Sequence, residues 1–407
     1  MSLEQTEICA LRKPLRSRAL RYIFETLCGN VAAGQLTVST SAEEQQIFRG
    51  ALPGPAAKLL IDRPLRLSLR VLARGDIGFA ESFVAGDWRS PDLAALLELL
   101  LINDEYLSDR IQGSTLARLA KRIAHRLRAN TRTGSRRNIT SHYDLGNDFY
   151  RLWLDAGMSY SCALFASAQD SLEAAQMRKY ERMLDLLRPR AGQHVLEIGC
   201  GWGGFALAAA RRGLRVTGIT LSAAQLDLAR KRVAEAGLEH LIDLRLQDYR
   251  DITGQFDHVV SIEMLEAVGE SYWPVYFDTL ARCLKPGGRV ALQCITIDNA
   301  YYPIYRDSPD FIQLYVFPGG MLPSPSVLTA QAARAGFAVR EQAFIGSHYA
   351  TTLGHWRRNV VENAARIRAL GYDEKFMRLW IYYLSYCTAG FNTGRIDVMH
   401  AALEAAR

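Results

Sequence analysis

The sequence predicts an α/β protein, a doubly wound and mostly parallel sheet preceded by a smaller α+β unit. Three observations carry that expectation. The run Val195-Leu196-Glu197-Ile198 suits a buried strand, breaks into Gly199-Cys200-Gly201-Trp202-Gly203-Gly204, and passes at once into the helix-prone Phe205-Ala206-Leu207-Ala208. Strand-like and helix-like segments then alternate over residues 194–295, as parallel sheets require. Finally, 407 residues are many for one core, so two domains are expected.

In chain order, residues 1–115 form the first unit. Within it the alternation Leu65-Arg66-Leu67-Ser68-Leu69-Arg70-Val71-Leu72 predicts a half-buried strand. Residues 75–88 predict turn, short helix and turn, and Asp92 is placed to cap an apolar helix over 93–102. A basic amphipathic linker at 116–137 leads into the second unit, 138–407. There the spacing predicts strands at 194–198, 215–220, 241–246, 258–262 and 289–295, and a late one at 338–345. Ser222 with Gln225 makes a capping box for the helix after the second of these. Residues 296–325, rich in Tyr, Pro and Gly, predict a lid insertion at a substrate cleft.

A hydrophobic content of 49% with 22% charged residues is that of an ordinary soluble globular chain. Cys9, Cys28, Cys162, Cys200, Cys283, Cys294 and Cys387 are scattered without a CxxC pair. That argues for reduced thiols in the cytoplasm and against a disulfide framework or a metal site. No signal peptide is evident, and the longest apolar run is far too short to span a bilayer. The net charge of +7 is concentrated in Arg118, Lys121, Arg122, Arg126, Arg128, Arg132, Arg136 and Arg137, without which the rest stands at −1. Leu116, Leu119, Ala120, Ile123 and Leu127 recur among them at helical spacing, which fits an anionic membrane surface or a solvated linker helix. No recognition motif for nucleic acid accompanies the charge, so nucleic acid is not expected as a partner.

In an open sheet the ligand lies beyond the C-terminal strand ends. The loops there carry Glu197, Gly199, Gly201 and Gly203, then Thr220, Leu221, Ser222 and Gln225, then Asp248 and Tyr249, and Ile262 ahead of Glu263-Met264-Leu265-Glu266. Asp248 could accept from an adenine amino group, and Thr220, Ser222 or Gln225 could bond a ribose or a carboxylate. A dinucleotide loop wants GxGxxG to cradle a pyrophosphate. The order here, with an acid before the glycines, resembles the S-adenosylmethionine-dependent methyltransferases and their Rossmann-like class I fold. Thr220 stands where many nucleoside sites place an acid.

Further motifs narrow the resemblance. Asn138-Ile139-Thr140-Ser141-His142-Tyr143-Asp144-Leu145-Gly146-Asn147, Met158-Ser159-Tyr160-Ser161-Cys162-Ala163, Gly218-Ile219-Thr220-Leu221-Ser222 and Glu266-Ala267-Val268-Gly269 are similar to the cyclopropane fatty acid synthase family, in the family's order over roughly residues 138–400. The resemblance implies transfer of a methyl or methylene group from S-adenosylmethionine to the cis double bond of an acyl chain in membrane phospholipid. The resulting carbocation would lose a proton to an enzyme-bound bicarbonate, and a cyclopropane ring would close. It places Tyr160 and Ser161 with the cofactor residues, and Cys162, Glu266, Gln293, the backbone of Ile295 and Tyr383 around the bicarbonate. Gln293 and Ala267 replace histidines common in bacterial synthases. Glutamine can donate to an anion but takes no proton near neutrality, which keeps a second outcome open: a methyl-branched or methylated unsaturated chain. A small-molecule methyltransferase is the other alternative. The reading implies a protein peripherally held at the inner membrane face; a homodimer is left open.

Overall fold

The computed structural model describes residues 31–40, 45–104 and 145–406. The basic segment 118–137 and the motif residues up to 144 lie outside them. The chain divides into two compact units, Met1–Arg122 with Gly371–Thr393, and Ile123–Leu370 with Gly394–Arg407. The division differs from the continuous second unit expected from the sequence, because one late helix packs with the first unit.

In the first unit, β1 (Ala33–Thr40), β2 (Gln45–Arg49) and β3 (Leu52–Ile61) precede α1 (Pro64–Val84), β4 (Trp88–Arg89) and α2 (Leu93–Ile102). The sheet order is β2-β1-β3-β4, with β1 parallel to β3 and antiparallel to β2. The strand expected at residues 65–72 is instead the first half of α1. Pro64 opens that helix in its first turn, where a missing N–H costs nothing. Leu65, Leu69 and Leu72 fall on one helical face and are 65%, 68% and 54% exposed, while Leu67 is buried. The period-2 alternation therefore arises from leucines turned outward. Gly75, at φ 60° and ψ −131°, kinks the helix, so that the short helix expected after it is the second half of α1. Asp92 caps α2 as expected, its carboxylate accepting from the Ala95 N–H at 3.1 Å.

The second unit begins with α3 (Asn147–Arg151) and α4 (Leu172–Leu187), and then alternates: β5 (His194–Ile198), α5 (Gly204–Arg211), β6 (Arg215–Thr220), α6 (Ala223–Glu235), β7 (Ile242–Leu246), β8 (Phe256–Ile262), α7 (Trp273–Cys283) and β9 (Leu284–Ile297). After β9 the stretch expected as an insertion carries α8 (Tyr302–Asp307) and a π-helical turn, Ile312–Val316. Next come α9 (Pro325–Arg334), β10 (Phe337–Phe344), α10 (Gly346–Glu362) and α11 (Ala364–Ala369). Then α12 (Glu374–Asn392) packs in the first unit, where Arg378 donates to the carbonyls of Phe83 and Trp88, and β11 (Ile396–Ala405) returns to the second.

The seven strands order as β10-β11-β9-β8-β5-β6-β7. The five from β9 to β7 are parallel, and β11 runs antiparallel between β9 and β10. Side chains alternate between two cores. Leu196, Ile198 and Val259 pack with Trp273, Tyr276 and Phe277, whereas Val195 and Val260 pack with Met183, Leu187 and Phe205. Each such fully buried side chain contributes about 1.5–3 kcal/mol, so the sheet is a rigid platform for the loops at its ends. The chain turns back beside β5 when it enters β8, which puts the crevice of an open sheet at the C-terminal ends of these two strands. Among the described residues no helix is long and apolar enough to cross a membrane.

Candidate active site

A cleft opens at that switch point, with roughly 1110 Å³ of empty space when its mouth is included. Tyr160, Ser161, Glu197, Gly199, Gly201, Thr220, Leu221, Gln225, Asp248, Tyr249 and Ile262 all line it. Gly203 and Ser222 do not, and each instead starts a helix: Gly203, at φ +81°, precedes α5, and the Ser222 hydroxyl accepts from the Gln225 N–H at 3.3 Å. Gly199 and Gly201 sit at φ +89° and +50°, a region that favours glycine. A Cβ on Gly201 would point into open space, which is the room a ligand needs against the backbone.

The polar groups of the cleft differ in how far they are committed. The Thr220 hydroxyl donates to Gln225 Oε1 at 3.1 Å and accepts from the Ser222 N–H, so the return bond of a capping box is absent and Gln225 Nε2 remains to donate to a ligand. Asp248 is held by Arg250, which donates from its backbone N–H and from its guanidinium at 2.6 and 2.9 Å. An adenine amino group would share that carboxylate. Glu197 is buried with Oε2 unpartnered, and burial lifts its pKa to about 8 against the pull of Lys179. Lys179 is itself buried, donates to the Ser161 hydroxyl at 2.6 Å, and lies over the Tyr180 ring. Burial brings it down to about 8, with Glu263 acting in the opposite sense.

The wall of the cleft also carries a carboxylate that the motifs do not single out. Glu263 follows β8 at φ +49°, an uncommon conformation for a side chain other than glycine. Its Oε1 accepts from the Cys162 backbone N–H at 2.8 Å and from Gln293 Nε2 at 2.7 Å, and its Oε2 accepts from the Tyr349 hydroxyl at 2.7 Å. The second Gln293 N–H goes to the Cys162 carbonyl at 3.2 Å. Both acceptors require the amide nitrogen, so Oε1 of Gln293 faces His400 Nε2, 2.8 Å away, and that nitrogen carries the hydrogen. Burial depresses His400 to about 3, which keeps the ring neutral. Burial raises the pKa of Glu263, opposed by the hydrogen bonds from Cys162, Gln293 and Tyr349 and by the charge of Lys179.

Glu266 accepts from the Ile295 backbone N–H through Oε1, while its buried Oε2 has no partner. Burial, reinforced by the charge of Glu263, takes it to about 8, so near neutrality it is a protonated, neutral acid. The Cys162 thiol is buried and pushed well up by desolvation; it donates to the Ala163 carbonyl at 3.3 Å and contributes to Glu263 only through its backbone N–H. Cys162, Glu266, Gln293 and Ile295 thus belong to one neighbourhood of the second unit. Tyr383 does not belong to that unit. It sits on α12 in the first, edge-on to Trp380 with ring centroids 5.3 Å apart. Within the second unit, Tyr349 is the phenol that donates to Glu263.

The cleft fits S-adenosylmethionine, with backbone room at Gly201, a ready donor in Gln225 and acids at Glu197 and Asp248. The residues expected to hold a bicarbonate do not fit one. The Cys162 N–H, both Gln293 N–H groups and the Tyr349 hydroxyl are committed, three of these four bonds going to the Glu263 carboxylate. A second buried anion beside that carboxylate would meet like charge without the donors to offset it.

Glu263, Tyr349, Lys179 and His400 were not legible as site residues. Glu263 opens the loop Glu263-Met264-Leu265-Glu266, and its signal was an acid directly after an apolar strand. Lys179 and Tyr349 sit on helices α4 and α10, and His400 on β11, with no motif beside them that the sequence reading used. His400 is the direct cross-strand neighbour of Gln293.

Residues 130–401 match the family model described as mycolic acid cyclopropane synthetase. Tuberculostearic acid methyltransferase UfaA1 of Mycobacterium tuberculosis is 41% identical over 368 residues, covering 86% of this chain and 83% of that one. The cyclopropane-fatty-acyl-phospholipid synthase of Escherichia coli K12 is 34% identical over 342 residues, with 81% and 83% covered. The crystal structure of mycolic acid cyclopropane synthase CmaA1 complexed with SAH and CTAB aligns with a TM-score of 0.62 at 31% identity, over 66% of this chain and 97% of the other. With more than half of its length matched and the cofactor cleft in place, the chain belongs to the cyclopropane synthase family of S-adenosylmethionine-dependent methyltransferases.

Proposed function

We propose that this enzyme methylates the cis double bond of an unsaturated fatty acyl chain carried by a membrane phospholipid. The observation that carries the reading is a cofactor cleft whose wall includes Glu263, the hub of a buried carboxylate network. S-adenosylmethionine supplies an electrophilic methyl group there. The chain's own residues keep water out and set negative charge opposite the place where positive charge develops on the olefin. Tyr150, Trp153, Tyr160 and Trp356 pack ring to ring near the cleft wall at centroid distances of 5.3–5.6 Å, a π-rich surface suited to a cation. The relatives named above act on fatty acyl substrates by name, which supports a lipid over a small polar acceptor. The exposed Leu65, Leu69 and Leu72 stripe on α1, with Arg66 beside it, supports docking at a lipid surface from the first unit.

Ring closure is the first reading of the outcome. The methyl-branched or methylated unsaturated chain is the second, favoured by Gln293 and by the methyltransferase name of the relative with 86% coverage. The test is incubation with methyl-labelled S-adenosylmethionine and vesicles of oleoyl phospholipid, followed by mass spectrometry and proton NMR of the released acyl chains. Label in the acyl chain with one added CH2 is expected; NMR then distinguishes ring from branch and from retained vinylic protons. Label confined to the head group, or found only with small amine or hydroxyl acceptors, would overturn the reading.

A further inference from the structure

The bicarbonate implied by the resemblance finds its donors already taken, and they are taken by a side chain of this protein. We propose that Glu263 is the fixed anion of the active site, doing with its own carboxylate what a captured bicarbonate would otherwise do. The proposal rests on olefin methylation as the reaction. Three independent segments converge on Glu263: the Cys162 N–H from the loop after α3, Gln293 from β9 and Tyr349 from α10. Its backbone at φ +49° keeps a non-glycine side chain in a costly conformation, as strained positions at functional sites do. The buried cation Lys179, one of the charges acting on Glu263, supplies the compensating charge.

The replacement at position 293 follows from the same geometry. A residue that has to hold a fixed carboxylate needs a fixed N–H donor and no proton exchange, and Gln293 provides both: one N–H goes to Glu263, and the other N–H and Oε1 are fixed by the Cys162 carbonyl and His400. The proton acceptor is then Glu263. After the new carbon–carbon bond has formed and the carbon–sulfur bond has broken, one C–H bond of the attached methyl breaks. Its electron pair closes the ring onto the cationic carbon, and its proton passes to the Glu263 carboxylate, which becomes the neutral acid. Release of that proton to solvent after product departure restores the site.

Wild type, Glu263→Gly and Glu263→Gln are compared on oleoyl phospholipid vesicles in buffer freed of carbon dioxide, and again with bicarbonate restored. Glycine suits the φ of this position and vacates the donors; glutamine keeps the shape but cannot accept a proton. Wild-type turnover is expected to be indifferent to bicarbonate. Glu263→Gly is expected to fall about 100-fold without bicarbonate and to recover roughly tenfold with it, while Glu263→Gln stays about 100-fold down in both. Apart from turnover, bicarbonate is expected to raise the melting temperature of Glu263→Gly and not of wild type, because only the vacated site binds it. Bicarbonate-dependent turnover or stabilisation of the wild type, or wild-type turnover in Glu263→Gln, would overturn the proposal. If Glu263→Gly does not fold, the glutamine variant and the wild-type titration decide. A wild type that labels no acyl chain overturns the olefin reading instead, and the melting measurements still judge the fixed anion.

Discussion

At the cofactor end of the cleft, Gly199 and Gly201 hold a turn that leaves open space at Gly201, and Gln225 keeps an amide nitrogen for a ligand. At the other end the donors around Glu263 already have partners inside the protein. The first end is built to receive a molecule and the second to hold a charge that never leaves. The difference also appears in the two acids of the second end. Burial raises both, but at Glu263 three hydrogen bonds and a buried cation oppose the rise, whereas Glu266 accepts one backbone N–H and is pushed to about 8. One acid serves as the charge and its neighbour as the neutral partner, the arrangement expected where two carboxyls share a buried place.

That assignment breaks most visibly through stability and pH. Glu266 has a folded pKa of about 8 against 4.5 for the free side chain. The folded state therefore binds its proton more tightly than the unfolded state. Its contribution to stability is complete below about pH 4.5 and is lost as pH rises through about 8. Glu266→Gln, which copies the neutral acid, removes this loss. Urea unfolding of the two proteins is expected to show the variant gaining on wild type between pH 5 and pH 9 by about 4 kcal/mol. Turnover should remain within about tenfold of wild type, far from the loss expected for Glu263→Gln. A stability gap that does not widen with pH would mean that Glu266 is ionised in the folded protein, and the division of roles between the two acids would be lost.

The cofactor end gives a smaller and differently shaped effect. Gln225→Ala deletes the uncommitted amide nitrogen of a residue that lines the cleft and the acceptor of the Thr220 hydroxyl, at about 1 kcal/mol for a net hydrogen bond. The KM for S-adenosylmethionine and the calorimetric Kd for S-adenosylhomocysteine are expected to rise about fivefold with kcat unchanged, the mark of uniform binding. A fall in kcat at constant Kd would move Gln225 from the receiving end of the cleft to the reacting end.

The same contrast explains what the sequence could show. The receiving end is local: a strand, three glycines and a helix within a dozen residues, repeated as strand and loop at Thr220 and Asp248, so its fold was legible, and with it the residues that line the cleft there, Gly203 and Ser222 excepted. The charge-holding end is assembled across the chain from Cys162, Lys179, Glu263, Gln293, Tyr349 and His400. Its members meet through a cross-strand pair, two loops and two helices, and nothing in their spacing announces it. Motif matching reached Cys162, Glu266 and Gln293 but not Tyr349, whose hydroxyl donates to Glu263. In the first unit the failure has another cause. Burial periodicity assumes that leucines face inward, and in α1 Leu65, Leu69 and Leu72 face out. Pro64 in the first helical turn was the better signal there.

The smallest effect is expected at Cys162, and it tests whether the sulfur or the peptide does the work. The thiol is fully buried and desolvation keeps it protonated, so it is no nucleophile and no anion. Its nearest acceptor is the Ala163 carbonyl at 3.3 Å, which a serine hydroxyl can also reach, with the Ile345 carbonyl at 4.0 Å. The bond to Glu263 comes from the backbone N–H at 2.8 Å and is the same for any residue but proline. Cys162→Ser should therefore cost about 1 kcal/mol of stability for burying a hydroxyl, and change turnover by less than about threefold, well under the range for a lost proton acceptor. Thermal unfolding and steady-state rates on the same preparation measure both. A drop approaching that of Glu263→Gln would assign the chemistry to the thiol, and the anion at this end of the cleft would then need a different holder from the peptide that the geometry identifies.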